Sequence, residues 1–246
     1  MKRLKLFVWS VLLTCFYLSV IGATAYARGT VTFTIDDAPV SVYHNAVSLF
    51  ERYGVRPTLF VITDMVESDP WSMTWEQVQE VHAKGWEIGS HTATHPSLPL
   101  LDDVALKYEL ESSKHALVSK GIEVQSFASP FGEFDERTAR MIAGEYTIHR
   151  RTWGVGIDNG LNVRHNPDWM NITALVLTPN IPAVSVIALM EAAMREDLWL
   201  VLCLHGIVHD NPTDYQYSST ELERILEFVQ TNGIKTVTLS EMRYAK

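Results

Sequence analysis

Residues 198–204 read Leu-Trp-Leu-Val-Leu-Cys-Leu, and His205 follows directly. An unbroken apolar run of this length, with no polar alternation, describes a strand buried on both faces, as in a parallel sheet covered by helices. Outward from it the same grammar repeats. Thr30–Ile35, Pro57–Ile62, Trp86–Ser90, Val124–Ala128, Ala174–Leu177 and Thr236–Leu239 read as further strands, and Tyr146–His149 as a short one. Between them lie helical patterns at His44–Tyr53 closed by Gly54, Trp75–Ala83 capped by Thr74 and stopped by Gly85, and Asp102–Ser119 ended by Gly121. Asp135–Ala143 closed by Gly144, Ser185–Glu196 and Ser219–Gln230 complete the helices, and Thr152–Asn171 reads as a long loop. Alternation of this kind predicts an α/β domain, a (β/α) barrel with seven or eight parallel strands. No Gly-x-Gly-x-x-Gly opens a helix after a strand, which argues against a dinucleotide fold.

The rest of the chain fits one such domain. Of 246 residues, 47% are hydrophobic and 20% charged, with no linker, repeat or charge block after Gly29. Net charge is −9, which disfavours a nucleic-acid partner. Lys2, Arg3 and Lys5 precede an apolar run from Leu6 to Ile21, and Ala25-Tyr26-Ala27 has the small-x-small form of a signal-peptidase site. The expectation is a signal peptide at 1–27 and an exported, periplasmic or secreted domain at 28–246 with no stable membrane insertion after cleavage; an uncleaved anchor is the alternative. Cleavage removes three positive charges and no negative ones, taking the net charge from −9 to −12, and leaves Cys203 without a disulfide partner.

Barrels of this kind carry their chemistry at the C-terminal ends of the strands. The first strand runs into Asp36-Asp37-Ala38-Pro39, where two adjacent carboxylates leave a buried segment. The bland alternative is an Asp-rich turn capping the next helix. The third strand ends in His91-Thr92-Ala93-Thr94-His95-Pro96, whose two histidines share a side if the segment makes one helical turn, a spacing suited to one divalent metal. His205 and His209 repeat that spacing, but Gly206 and Asp210-Asn211-Pro212 place His209 in a loop, so the first pair is the better ligand set. Ala128-Ser129-Pro130-Phe131-Gly132 forms a rigid turn after the fourth strand, and His205 sits at the mouth of the most apolar one.

These pieces, in this order, resemble the polysaccharide deacetylases, the chitooligosaccharide-deacetylase-like carbohydrate esterases. That family's motifs T-F-D-D-G, H-[ST]-x-x-H, R-x-P-x-G, an Asp-Trp element and L-x-L-H correspond to Thr34–Ala38, His91–His95, Ala128–Gly132, Asp168-Trp169 and Leu202–His205. The resemblance implies a deformed (β/α) barrel and metal-dependent hydrolysis of N- or O-acetyl groups on an acetylated glycan. It implies Asp37, His91 and His95 as ligands of one divalent ion, zinc or alternatively Co2+, Ni2+ or Mn2+. Asp36 would be the general base and His205 the general acid, with the Phe131 N–H on the oxyanion. Trp169, Phe131 and Leu204 would wall the acetyl pocket, with Asp168, or else Asp158, orienting His205. The physics is compatible: a two-histidine carboxylate set leaves coordination positions open for water and a carbonyl oxygen.

Three departures matter. Ala38 stands where the family has glycine, and Ile35 where phenylalanine is usual. Ala128 stands in place of an arginine that steadies the catalytic aspartate, so Arg150, Arg151 or Arg164 must supply that charge or Asp36 works less well. His165 occupies the first aspartate position of the fourth motif. Two other readings remain, an amidohydrolase acting on a small C–N substrate and a catalytically impaired glycan-binding relative.

Overall fold

In the computed structural model, which describes residues 29–152 and 160–244, the apolar run Leu198–Leu204 is a strand of the parallel ladder. The strands are β1 (Thr30–Ile35), β2 (Thr58–Val61), β3 (Glu87–Ser90), β4 (Ser126–Ala128), β5 (Ile148–Arg151), β6 (Leu161–Val163), β7 (Ile172–Thr173), β8 (Leu175–Val176) and β9 (Leu198–Leu204). Next come β10 (Ile207–Val208), β11 (Tyr217–Ser218) and β12 (Lys235–Thr236). The helices are α1 (Val40–Asn45), α2 (Val47–Arg52), α3 (Trp75–Ala83), α4 (Asp103–Ser119), α5 (Glu136–Glu145), α6 (Ala183–Glu196), α7 (Ser219–Thr231) and α8 (Leu239–Tyr244). Strands β9, β1, β2, β3, β4, β5 and β7 pair side by side, all parallel. β8 then pairs with β9, so the segment 172–176 bridges the two ends and closes a deformed (β/α) barrel.

Strand alternation divides the core in two. Val31, Phe33 and Ile35 of β1, with Leu200, Leu202 and Leu204 of β9, pack among the outer helices. Trp199, Val201 and Cys203 face the barrel axis with Phe60, Ala128 and Ile148. Two inward-facing hydroxyls of β1 are paired: Thr34 Oγ1 donates to the Leu202 carbonyl (2.9 Å), and Trp199 Nε1 donates to Thr32 Oγ1 (2.9 Å). Thr74 caps α3 in a capping box with Gln77, as its sequence predicts.

Several boundaries differ from the sequence reading. The helix expected over 44–53 is broken at Ala46 (φ −128°), giving α1 and α2. Gly144 does not end α5, which runs on through Glu145. Part of the expected loop 152–171 pairs antiparallel to β9 as β6, and Asp158 falls outside the described residues. At the C-terminus only Lys235–Thr236 is strand, because Leu239 opens a last helix whose side chain enters the barrel interior. The expected signal peptide also lies outside the described residues.

Candidate active site

Five strand-end side chains converge on one cavity of about 380 Å³: Asp36, Asp37, His91, His95 and His205. Phe131, Thr152, Val176 and Tyr215 form its walls. How two neighbouring aspartates reach one site is a matter of backbone. Asp36 still belongs to the ladder, its N–H donating to the Leu204 carbonyl (2.9 Å), and its side chain points inward like those of Thr32 and Thr34. Asp37 (φ 68°) and Ala38 (φ 49°) then take left-handed conformations, which turn the second carboxylate back over the first instead of to the opposite face. Aspartate tolerates that region. Alanine does so at a cost of about 1 kcal/mol relative to glycine, the residue the family carries there.

The expected helical turn between His91 and His95 does not form. Thr92 (φ 69°) and His95 (φ 65°) are left-handed, and the irregular turn still brings the two rings to 4.8 Å. His91 Nδ1 donates to the Ala128 carbonyl (2.8 Å), since a carbonyl can only accept, and Nε2 is thereby left as a lone pair. That Nε2 lies 3.4 Å from Asp37 Oδ1, and His95 Nε2 lies 3.6 Å from the same oxygen. Asp37 Oδ1 is buried and has no hydrogen-bond partner among the described residues. A buried, unpaired carboxylate oxygen facing two imidazoles is an arrangement that a divalent cation would complete. The donor set therefore fits the ion that the resemblance implies.

Asp36 sits in a different environment. The Arg150 guanidinium donates from Nη2 to its Oδ1, with both side chains buried. Arg150 lies directly across from Ala128 in the β4–β5 register and stacks over Phe60 at 4.9 Å. The charge missing at Ala128 is thus supplied from the next strand. The Cys203 thiol donates to Asp36 Oδ2 at 3.4 Å, and His205 Nε2 is 3.9 Å from that oxygen. Burial alone would raise the Asp36 carboxyl, but Arg150, then His91 and His205, outweigh it and hold it well below the usual carboxylate range. Burial pushes Asp37 up to about 6, with Asp36 adding to the rise and His205 and Arg150 opposing it. Burial also lowers His91 to about 3 and shifts His95 downward. Two adjacent carboxylates are therefore driven apart in acidity, the pattern of groups with separate tasks.

Phe131 is 63% exposed, left-handed (φ 58°), and sets its ring edge-on to His95 at 4.7 Å. Its neighbour Gly132 (φ 72°) has no substitute, since a Cβ there would meet the Thr152 carbonyl oxygen at 1.3 Å. Tyr215, 58% exposed, stacks beside His205 at 5.2 Å.

Three sequence expectations are corrected. Leu204 faces the helical layer and not the cavity, because residues 202 and 204 share the outer side of β9. Trp169 packs on Trp199 at 5.8 Å and lines a separate recess with Asp168. Asp168 is exposed and accepts from the Met170 N–H (3.1 Å), while His205 Nδ1 has no partner among the described residues. Asp168 therefore does not orient His205. Val176 and Tyr215 take the wall positions assigned to Leu204 and Trp169. Of the three arginines considered for Asp36, Arg150 makes the contact; Arg164 pairs with Asp197 (2.6 Å) and Arg151 reaches Asn171 (2.6 Å). Cys203 and Glu109 were not foreseen as supports of the site. Glu109 had a signal, since it falls in the buried stripe Leu106, Leu110, Ser113 and Leu117 of α4.

A parallel barrel with a two-histidine carboxylate cluster at its C-terminal rim places a candidate divalent-metal site where barrels carry their chemistry. The sequence profile of the polysaccharide deacetylase family matches residues 24–148, and the chain belongs to that family. It is 33% identical over 153 residues to a gellan lyase from Bacillus sp, covering 61% of this chain but only 6% of that protein. A peptidoglycan-N-acetylglucosamine deacetylase from Bacillus cereus is 26% identical over 216 residues, 86% of this chain and 87% of the relative. Among solved structures, the Xyl-CE4 domain of a multidomain xylanase from the hindgut metagenome of Trinervitermes trinervoides shares the fold. Its TM-score is 0.61 at 20% identity, over 87% of this chain and 89% of that one.

Proposed function

We propose that this chain is an exported, metal-dependent carbohydrate deacetylase that hydrolyses N- or O-acetyl groups of a glycan, with residues 1–27 as its signal peptide and 28–246 as its catalytic domain. The carrying observation is that the Asp37, His91 and His95 cluster shares one cavity with Asp36 and His205. A divalent ion held by the cluster, zinc or a similar metal, would polarise the acetyl carbonyl as a Lewis acid.

The remaining chemistry belongs to the chain. Asp36, kept ionised by Arg150, takes a proton from the attacking water as its oxygen bonds to the acetyl carbon. The Phe131 N–H supports the developing oxyanion. As the C–N or C–O bond breaks, His205 gives a proton to the departing amine or alkoxide, and acetate is released. Phe131 and Tyr215, both exposed at the cavity mouth, provide faces against which a pyranose ring can stack. Arg150 removes the main support for a catalytically impaired relative, since the charge absent at Ala128 is present beside Asp36.

Two measurements test this reading: metal content of the purified protein and acetate release from an acetylated oligosaccharide. Asp36→Asn should keep the ion and lose most turnover, while Asp37→Asn should lose the ion. Glycan binding without acetate release by the metal-loaded protein would overturn the catalytic assignment.

A further inference from the structure

The turn that carries the two histidines is unusual in how its backbone is held. It is not helical, so the N–H groups of residues 92–95 cannot be satisfied within a helix, and two of its residues are left-handed non-glycines. Thr92, being β-branched, is an uncommon occupant of that region, and such conformations persist only where the surroundings over-determine them. The surroundings here can be counted atom by atom. The Thr92 and Ala93 carbonyls accept from the N–H groups of Thr63 (3.2 Å) and Asp64 (3.0 Å) in the loop after β2. The Thr92 N–H donates to Ser90 Oγ (3.3 Å), and the His95 N–H to Thr92 Oγ1 (2.9 Å).

The other two amides go to one side chain. Ala93 N–H and Thr94 N–H both donate to Glu109 Oε2, each at 2.9 Å, and Thr94 Oγ1 donates to Oε1 at 2.6 Å. Glu109 is 6% exposed and forms no ion pair among the described residues. A buried carboxylate without a cation is costly unless its oxygens are fully used, and here three donors use them. The two backbone N–H groups require an oxygen at the Oε2 position, because neither amide can do anything but donate.

We propose that Glu109 is a positioning residue. Its carboxylate fixes the strained His91–His95 turn in the geometry that brings the two imidazoles together, and thereby sets the affinity of the site for a divalent ion. The inference rests on the reading that Asp37, His91 and His95 hold such an ion. It also accounts for why a non-helical His-x-x-x-His can serve as a ligand pair: the histidines are oriented by backbone pinned from outside the turn. Supports of this kind typically change metal affinity by about 10- to 100-fold when removed.

The test is titration of the metal-stripped protein with Co2+, read by calorimetry and by the visible spectrum of the bound ion, alongside the melting temperature of the metal-free form. Glu109→Ala, which removes both acceptor oxygens, should weaken Co2+ binding by about 10- to 100-fold and alter the spectrum. Glu109→Gln, which keeps an oxygen for the two amides and can donate to the Thr94 hydroxyl, should restore most of the affinity. Thr94→Ala, at an exposed position that leaves folding intact, removes one donor and should weaken binding by a smaller factor in the same direction. Leu110→Ala, a buried change on the same helix, should lower the melting temperature yet leave Co2+ affinity and spectrum unchanged. If Glu109→Ala and Thr94→Ala bind Co2+ as the unaltered protein does, with the same spectrum, Glu109 is only a structural anchor and the inference is overturned. Failure of the unaltered protein to bind Co2+ would overturn the metal reading itself, an outcome separable from the first.

Discussion

The chain spells His-x-x-x-His twice, at His91/His95 and at His205/His209, and the two regions come to opposite ends. His91 and His95 meet at 4.8 Å over Asp37. His205 enters the same cavity alone, while His209 is carried off by β10 and bonds to Ser219 Oγ (2.9 Å) at the start of α7. Spacing is identical, so spacing is not the cause. After His91 the chain is seized by carbonyl and amide contacts from the β2 loop and Glu109. After His205 it continues extended and pairs β10 with β11, which carries residue 209 away. Two histidines at this spacing are brought together by what holds the intervening backbone.

That contrast can be broken most sharply at the first pair. His91→Ala/His95→Ala should abolish metal content and lower turnover by on the order of a thousandfold or more, since a Lewis acid contributes several kcal/mol to the barrier. Full metal occupancy in that variant would move the ligand assignment to the second region.

The next largest effect separates His205 from the pair. His205→Ala should retain its metal and lose about 10²- to 10⁴-fold on a glycan amide, but far less on an activated aryl acetate that needs little protonation. Equal losses on the two substrates would make His205 a wall of the pocket.

Arg150→Met tests the charge that keeps Asp36 apart from Asp37. Removing one partner of a buried ion pair costs about 3–5 kcal/mol, readable by urea denaturation. With its carboxyl depressed, Asp36 contributes stability that is present above its unfolded value of about 3.9 and lost as pH falls through the lower folded value. Without Arg150, burial raises that carboxyl, so acidification toward its new value should relieve the variant, and the acid limb of its rate profile should move upward. An unmoved acid limb would show that Asp36 is not the base.

The smallest effect belongs to His209. His209→Ala loses one part-buried hydrogen bond to Ser219, worth about 0.5–1.5 kcal/mol, and should leave metal content and turnover unchanged. A loss of metal there would erase the distinction between the regions.

Much of this was legible from residue order. The apolar run at 198–204 implied a buried parallel strand, strand–helix alternation implied the barrel, and strand ends located Asp36, Asp37, His91, His95 and His205. These are local properties, since burial pattern and periodicity are written along the chain. What the walls are made of was not legible. Leu204 is assigned to the outer layer by a one-residue alternation, and Trp169 to the far recess by the path of a loop that includes β6.

The supports were hidden for the same reason. Arg150 replaces the charge absent at Ala128 because the β4–β5 register sets the two residues side by side, a relation between positions far apart in the chain. Glu109 reads as one acidic residue in a helix until α4 lays it against the histidine turn. The sequence by itself determined which chemical groups the site contains, because strand ends and motifs are contiguous. Only the tertiary structure decided how their acidities and orientations are set, because burial, ion pairing and backbone pinning arise between segments that meet on folding.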